Sequence, residues 1–200
     1  DWILNDIQVP YMMEYLICNN GAIVVTGSID LTGTKLPELP RFGMRMELHQ
    51  PYENLVYYGR GPFENYIDRY SSSFIGRYED KVENQFYWYT RPQETGNKTD
   101  VRWLSLLDSE GQGVRITGLQ PIAFSALHFS PEDLDPGLTR KLQHTIDIVP
   151  QKNIFLHVDL KQRGLGGDNS WGMYPHNEYR LLDKKYTYSY MIELVKKNSD

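Results

Sequence analysis

Three loops in this sequence concentrate residue types able to bind a polar ligand. The first, Gly59-Arg60-Gly61-Pro62-Phe63-Glu64-Asn65-Tyr66-Ile67-Asp68-Arg69, sets two arginines, two carboxylates and an asparagine among glycines and a proline. Such a run has two readings: a turn whose charges neutralise one another, or a cluster that hydrogen-bonds a hydroxylated ligand. The second, Pro92 to Trp103, suits a hydrogen-bonded corner or a domain contact. Its Asn97-Lys98-Thr99 triplet fits a glycosylation acceptor, a match too common by chance to carry weight. The third, Arg163-Gly164-Leu165-Gly166-Gly167-Asp168-Asn169-Ser170-Trp171-Gly172, frames one large aromatic with glycines. Glycine lets backbone fold tightly enough to project an indole. Trp171 can then offer a flat apolar face to the C–H side of a sugar while Asp168 and Asn169 bond its hydroxyls; the competing reading folds Trp171 back onto the protein. No Lys-Ser/Thr pair follows the glycines and no helix opens there, so the loop is not a phosphate cradle.

Elsewhere the chemical signal is thin. The histidines, His49, His128, His144, His157 and His176, lack metal-ligand spacing, and His157 reads as a satisfied surface residue on the polar face of a strand. Glu64 with Asp68, or Glu132 with Asp133, are carboxylate pairs close in sequence. Glycoside hydrolysis needs two carboxyls facing across a bond at roughly 5–9 Å, which sequence proximity does not establish. No catalytic residue and no metal ligand is therefore assigned. Cys18, the single cysteine, permits no internal disulfide and no multi-thiolate site. A net charge of −5 without a basic stripe argues against nucleic acid and anionic membranes as partners. No apolar run approaches the roughly 20 residues of a membrane span.

The elements that must position these loops are strands. Apolar residues recur with period two at Ile23 to Leu31, Met44 to Leu48, Ile154 to Leu160 and Tyr186 to Leu194, each read as a half-buried strand. Gly33, Pro37, Pro40, Gly59, Gly61 and Pro62 punctuate the runs, and Asp108-Ser109-Glu110-Gly111 predicts a hairpin turn. Ser130-Pro131-Glu132-Asp133 predicts a capped helix, stopped within about two turns by Pro136-Gly137. A second short helical stretch is expected near Phe63 to Tyr70. With 15 Tyr, 7 Phe and 4 Trp in 200 residues, the chain has ample material for a core. No repeat or linker divides it. The expectation is one all-β domain, an antiparallel sandwich over residues 1–200.

Taken in order, the motifs resemble the C-terminal β-sandwich domain, or small chain, of LacZ-type β-galactosidases of glycoside hydrolase family 2. The resemblance runs from about Leu39 to Leu194: Leu39-Pro40-Arg41-Phe42-Gly43, the run at 59–69, Pro92-Gln93-Glu94-x-Gly96-Asn97, Phe124-Ser125-Ala126, and Gly166-Gly167-Asp168-Asn169-Ser170-Trp171. The Trp2–Tyr15 segment matches poorly. The resemblance implies a galactose mutarotase-like supersandwich that packs beside a separate TIM barrel. The barrel carries the catalytic glutamates and the ligands for the Mg and Na expected in the full enzyme, so no cofactor is expected in this chain. By motif match Trp171 lies at the edge of the galactoside site, with Asp168 and Asn169 shaping its wall. The chain then reads as part of a β-galactosidase hydrolysing terminal β-D-galactosides, inactive alone and homo-oligomeric in the full enzyme. The missing upstream strands and the start at Asp1 read as a domain excised from a larger protein, with the compartment open between cytoplasm and periplasm. Two alternatives stand beside it: a freestanding carbohydrate-binding module or small subunit of a split β-galactosidase, and an aldose 1-epimerase, which no histidine loop here resembles.

Overall fold

The computed structural model describes residues 2–4, 7–135 and 144–196. Its strands are β1 (Trp2–Leu4), β2 (Ile7–Val9), β3 (Tyr11–Ile17), β4 (Ile23–Asp30), β5 (Arg41–Leu48), β6 (Asn54–Gly61), β7 (Phe74–Lys81), β8 (Lys98–Leu107), β9 (Gly113–Leu127), β10 (Ile154–Gln162) and β11 (Lys185–Val195). The only α-helix among the described residues, α1 (Pro131–Leu134), carries the expected capping box between Ser130 and Asp133. Pro136-Gly137, its expected stop, lies outside the described residues. None of the described helices is long and apolar enough to cross a membrane.

Every pairing between these strands is antiparallel. The main sheet runs β3-β4-β11-β9-β8-β6-β7, and β10 joins it through β9 while carrying β5 on its other edge. β9 makes this branching possible. Its first part, Gly113 to Gly118, pairs with β11, and its last part, Ala123 to Leu127, pairs with β10. Leu119, Gln120, Pro121 and Ile122 between them pair with neither strand, and Pro121 has no N–H to donate. One strand thus serves two layers. The layers meet face to face: the Phe42 ring lies 5.5 Å from that of Tyr188 and 5.7 Å from that of Tyr186, and Tyr188 Oη donates to Val158 O at 3.0 Å. The fold is all-β and antiparallel, in the arrangement of a sandwich.

The period-two segments form strands as expected, with the Asp108–Gly111 hairpin turn between β8 and β9 closed by Asp108 N–H donating to Gln112 O. Two expectations need correction. β10 is covered on both faces: Ile154, Leu156 and Val158 are buried on one side, Phe155 and Asp159 on the other. Phe155 pairs across from Leu127, part of a second apolar cluster with Phe86, Phe129, Leu134 and Ile148. The Phe63–Tyr70 stretch is not helical; it is a turn closed by reciprocal backbone bonds between Tyr66 and Arg69. The buried Asn65 amide donates to Arg60 O and Phe63 O, and the second of these is a carbonyl that a helix would use.

Candidate functional site

The loop from Arg163 to Leu181 is held at its base by one carboxylate. Glu38, almost fully buried, accepts from Arg163 Nη1 at 2.8 Å and from Arg180 Nε at 2.6 Å, joining the two ends of the loop. These arginines hold its carboxyl below the usual range against the opposing effect of burial, which is the larger single influence on it. Backbone bonds from Arg163 N to Pro40 O and Gly164 N to Tyr179 O, with a bridge between Leu39 and Leu181, complete the base. The Tyr174 ring lies close to both guanidinium groups, its centroid 4.9 Å from that of Arg180 and 5.4 Å from that of Arg163.

From this base the loop projects Trp171, which is 92% exposed. The indole is therefore not folded back onto the sandwich. Asn169 Oδ1 accepts from Trp171 N–H at 2.8 Å, an Asx turn that fixes the backbone under the indole. Asp168 Oδ1 pairs with His176 Nε2 at 2.8 Å, and that bond raises the His176 pKa. Asp168 and Asn169 are thus engaged inside the loop that carries Trp171. Beside it lies an open cleft of about 540 Å³, lined by Asp168, Met173, Tyr174, His176 and Arg180 among others. The lining sets one aromatic face, Tyr174, beside a carboxylate–imidazole pair and the Arg180 guanidinium.

The other two loops lock together. Glu64 accepts from Thr95 Oγ1 at 2.9 Å, Gly96 N at 2.8 Å and Arg69 Nη2 at 2.9 Å, and it also accepts from Tyr89 Oη. Asn65 Oδ1 accepts from Thr99 N and Thr99 Oγ1, while Asn97 Nδ2 donates to Asn65 O. Arg60 pairs with Asp100 at 2.7 Å. For these residues the structural reading of the 59–69 run holds. Asn97, Lys98 and Thr99 are all buried, so the folded chain presents no glycosylation acceptor there. Glu132 is taken up by Arg45, and Asp133 Oδ2 accepts from Ser130 N–H in the capping box of α1. Asp68 is different: it reaches out of its turn to Gly166 in the Trp171 loop.

Sequence reasoning missed one cluster entirely. On the outer face of β5 and β10, Arg41 bonds Glu94 at 3.0 Å, Gln162 Oε1 at 2.6 Å and His157 Nδ1 at 3.1 Å. Its Nε lies 2.9 Å from Asp159 Oδ2, though off the line a hydrogen bond requires. Burial pushes the Asp159 pKa up to about 7, with Glu94 adding to the rise and Arg41 opposing it. Burial also takes His157 down to about 3, helped by Arg41 and Arg45, so its ring is neutral and Nδ1 accepts from Arg41. The half-buried His157 is a member of this network rather than a surface residue. The signal available in sequence was Asp159 itself, a carboxylate set between Val158 and Leu160. Among the described residues, no three His, Cys, Asp or Glu side chains converge as a metal site.

The family model described as "Beta galactosidase small chain" matches residues 4–192. That match takes in most of the Trp2–Tyr15 segment, which the motif resemblance had left outside. A protein named beta-galactosidase from Priestia megaterium is 34% identical over 90% of this chain and 17% of its own length. Another from Streptococcus thermophilus is 33% identical over 94% of the chain and 18% of its own length. Beta-galactosidase BgaC of Bifidobacterium adolescentis is 35% identical over 79% of the chain and 15% of its length. The chain spans less than a fifth of the length of these relatives.

Proposed function

The chain belongs to the β-galactosidase small-chain family, and from that premise we propose that it works as a single domain of a larger LacZ-type β-galactosidase of glycoside hydrolase family 2. In this reading it packs beside a catalytic domain supplied by the rest of a longer polypeptide and contributes Trp171 to the site that binds terminal β-D-galactosides. The observation that carries it is the loop: an almost fully exposed indole on a backbone braced by Glu38, Asn169 and the Asp168–His176 pair. Exposing so large an apolar ring forgoes its burial energy, about 1.5–3 kcal/mol for a large apolar side chain, which fits a ring reserved for contact with a ligand or partner. Asp168 and Asn169 shape the wall beside it.

The bond-breaking carboxylates, and the residues that would hold Mg and Na, belong to the catalytic domain. In this chain Glu38, Glu64, Glu94 and Asp159 are occupied by arginines, which makes them poor metal ligands. The isolated 200-residue chain is accordingly expected to turn over no galactoside. That relatives carry this segment as less than a fifth of a longer protein favours a domain over a freestanding binding module.

Kinetics of the full-length enzyme test the reading. Trp171→Ala should raise KM for a β-galactoside about tenfold with kcat nearly unchanged, as when ~1.4 kcal/mol of contact is lost equally from ground and transition states. Unchanged KM and kcat would remove Trp171 from the site, and turnover by the purified chain alone would overturn the division of labour.

A further inference from the structure

We propose that Asp68 is a positioning residue for the sugar site: it holds the Trp171 loop in its binding geometry from a separate corner of the fold. The proposal rests on the reading of Trp171 as a sugar contact and adds the residue that places it. Asp68 Oδ2 accepts from Gly166 N–H at 2.7 Å, across 98 positions of sequence. The bond lands five residues before Trp171, between the Glu38-anchored base and the exposed tip.

Both sides of this contact are built for it. Asp68 sits in the tight Tyr66–Arg69 turn. That turn grows from Asn65 and Tyr66, both essentially inaccessible to solvent, and Asn65 is tied to residues 97 and 99 by four hydrogen bonds. The carboxylate therefore projects from a rigid platform. On the receiving side, a Cβ on Gly164 would lie 2.7 Å from both Asp68 Cγ and Oδ2, so this approach needs glycine at 164. Two motifs far apart in the chain meet at one carboxylate.

The second carboxylate oxygen makes no bond that competes with this one. Asp68 Oδ1 is enclosed and has no hydrogen-bond partner among the described residues. An enclosed, unsatisfied acceptor costs folding free energy. Among the described residues the carboxylate thus reaches beyond its own turn through Oδ2, and what it reaches is the Trp171 loop.

The test uses the full-length enzyme, o-nitrophenyl β-D-galactoside as substrate, and four variants: Trp171→Ala, Asp68→Ala, Asp68→Asn and the double Asp68→Ala/Trp171→Ala. Asp68→Ala should raise KM about tenfold at nearly unchanged kcat, the effect of a loop in its binding position only about a tenth of the time. Its melting temperature should not fall, and hydrogen exchange at the Gly166 amide should speed up. Asp68→Asn, which keeps an acceptor oxygen, should stay within about twofold of the parent KM. The double variant should match Trp171→Ala alone, because a misplaced loop matters only through the ring it carries. If Trp171→Ala leaves KM unchanged, the sugar-site reading fails and the positioning role fails with it. If Trp171→Ala raises KM while Asp68→Ala does not, or the double variant shows additive losses, the Asp68 proposal alone is overturned. A lowered melting temperature shared by Asp68→Ala and Asp68→Asn, without rescue of KM by Asn, would reduce Asp68 to a structural residue and also overturn it.

Discussion

Arg41 faces more negative charge than it can neutralise. Asp159 is buried, Glu94 is half-buried, and both draw on the same guanidinium. Gly43 makes room for the pair: a Cβ there would fall 1.9 Å from Asp159 Oδ1. Removing Arg41 should therefore be severe. At pH 8, above the Asp159 pKa of about 7, Arg41→Met is expected to lower unfolding free energy by about 3–5 kcal/mol, the usual cost of stranding a buried charge, and adding Asp159→Asn should recover part of the loss. The pH dependence has a definite sign. The folded-state pKa of Asp159 is raised to about 7 from an ordinary value of 3.8, so the folded chain holds the proton that the unfolded chain releases. Its contribution to stability is complete below the ordinary value and is lost as pH rises through about 7. Removing Arg41 extends that loss to higher pH, so the Arg41→Met penalty should be larger at pH 8 than at pH 6. Urea denaturation of parent and variants at the two pH values measures it; a penalty independent of pH would contradict the account.

At the scale of elements, the Trp171 loop is a braced arm, and one brace is a pH-sensitive pair. His176 is raised above its ordinary 6.5, first by its hydrogen bond to Asp168. The pair is complete below that ordinary value and is lost as pH rises through the raised one. Amide exchange in residues 165–172, corrected for intrinsic rate, should accelerate across that window in the parent and show no such step in His176→Ala. The same loop marks the limit of what sequence can say. Period-two alternation was enough to place β4, β5, β10 and β11, because burial on one face writes itself into neighbouring residues. It could not reveal that β9 serves two layers, since pairing to β11 and then to β10 depends on segments up to about 80 positions away. Trp171 was legible from the glycines around it. The Asp68–Gly166 bond was not, for it joins two motifs that are separate in the chain. The helix expected at Phe63–Tyr70 failed because Asn65 spends its amide on nearby carbonyls.

At the scale of the whole molecule, one end of the main sheet is a strand with apolar side chains left in solvent. β3 lies at the edge of the strand order, and Tyr15, Leu16 and Ile17 are 61%, 64% and 74% exposed. An apolar unpaired edge invites further strand pairing. The isolated chain should therefore self-associate with rising concentration in sedimentation velocity, and Leu16→Lys with Ile17→Lys should suppress it; equal behaviour of the two chains would contradict this. The Trp171 loop carries a different kind of exposure, an indole on a braced backbone. The most direct test of its role is a crystal structure of the full-length enzyme with a galactoside bound. The Trp171 ring is expected in van der Waals contact with sugar carbons, within about 4.5 Å. A galactoside bound at the catalytic centre with Trp171 beyond about 8 Å, roughly twice a contact distance, would contradict it.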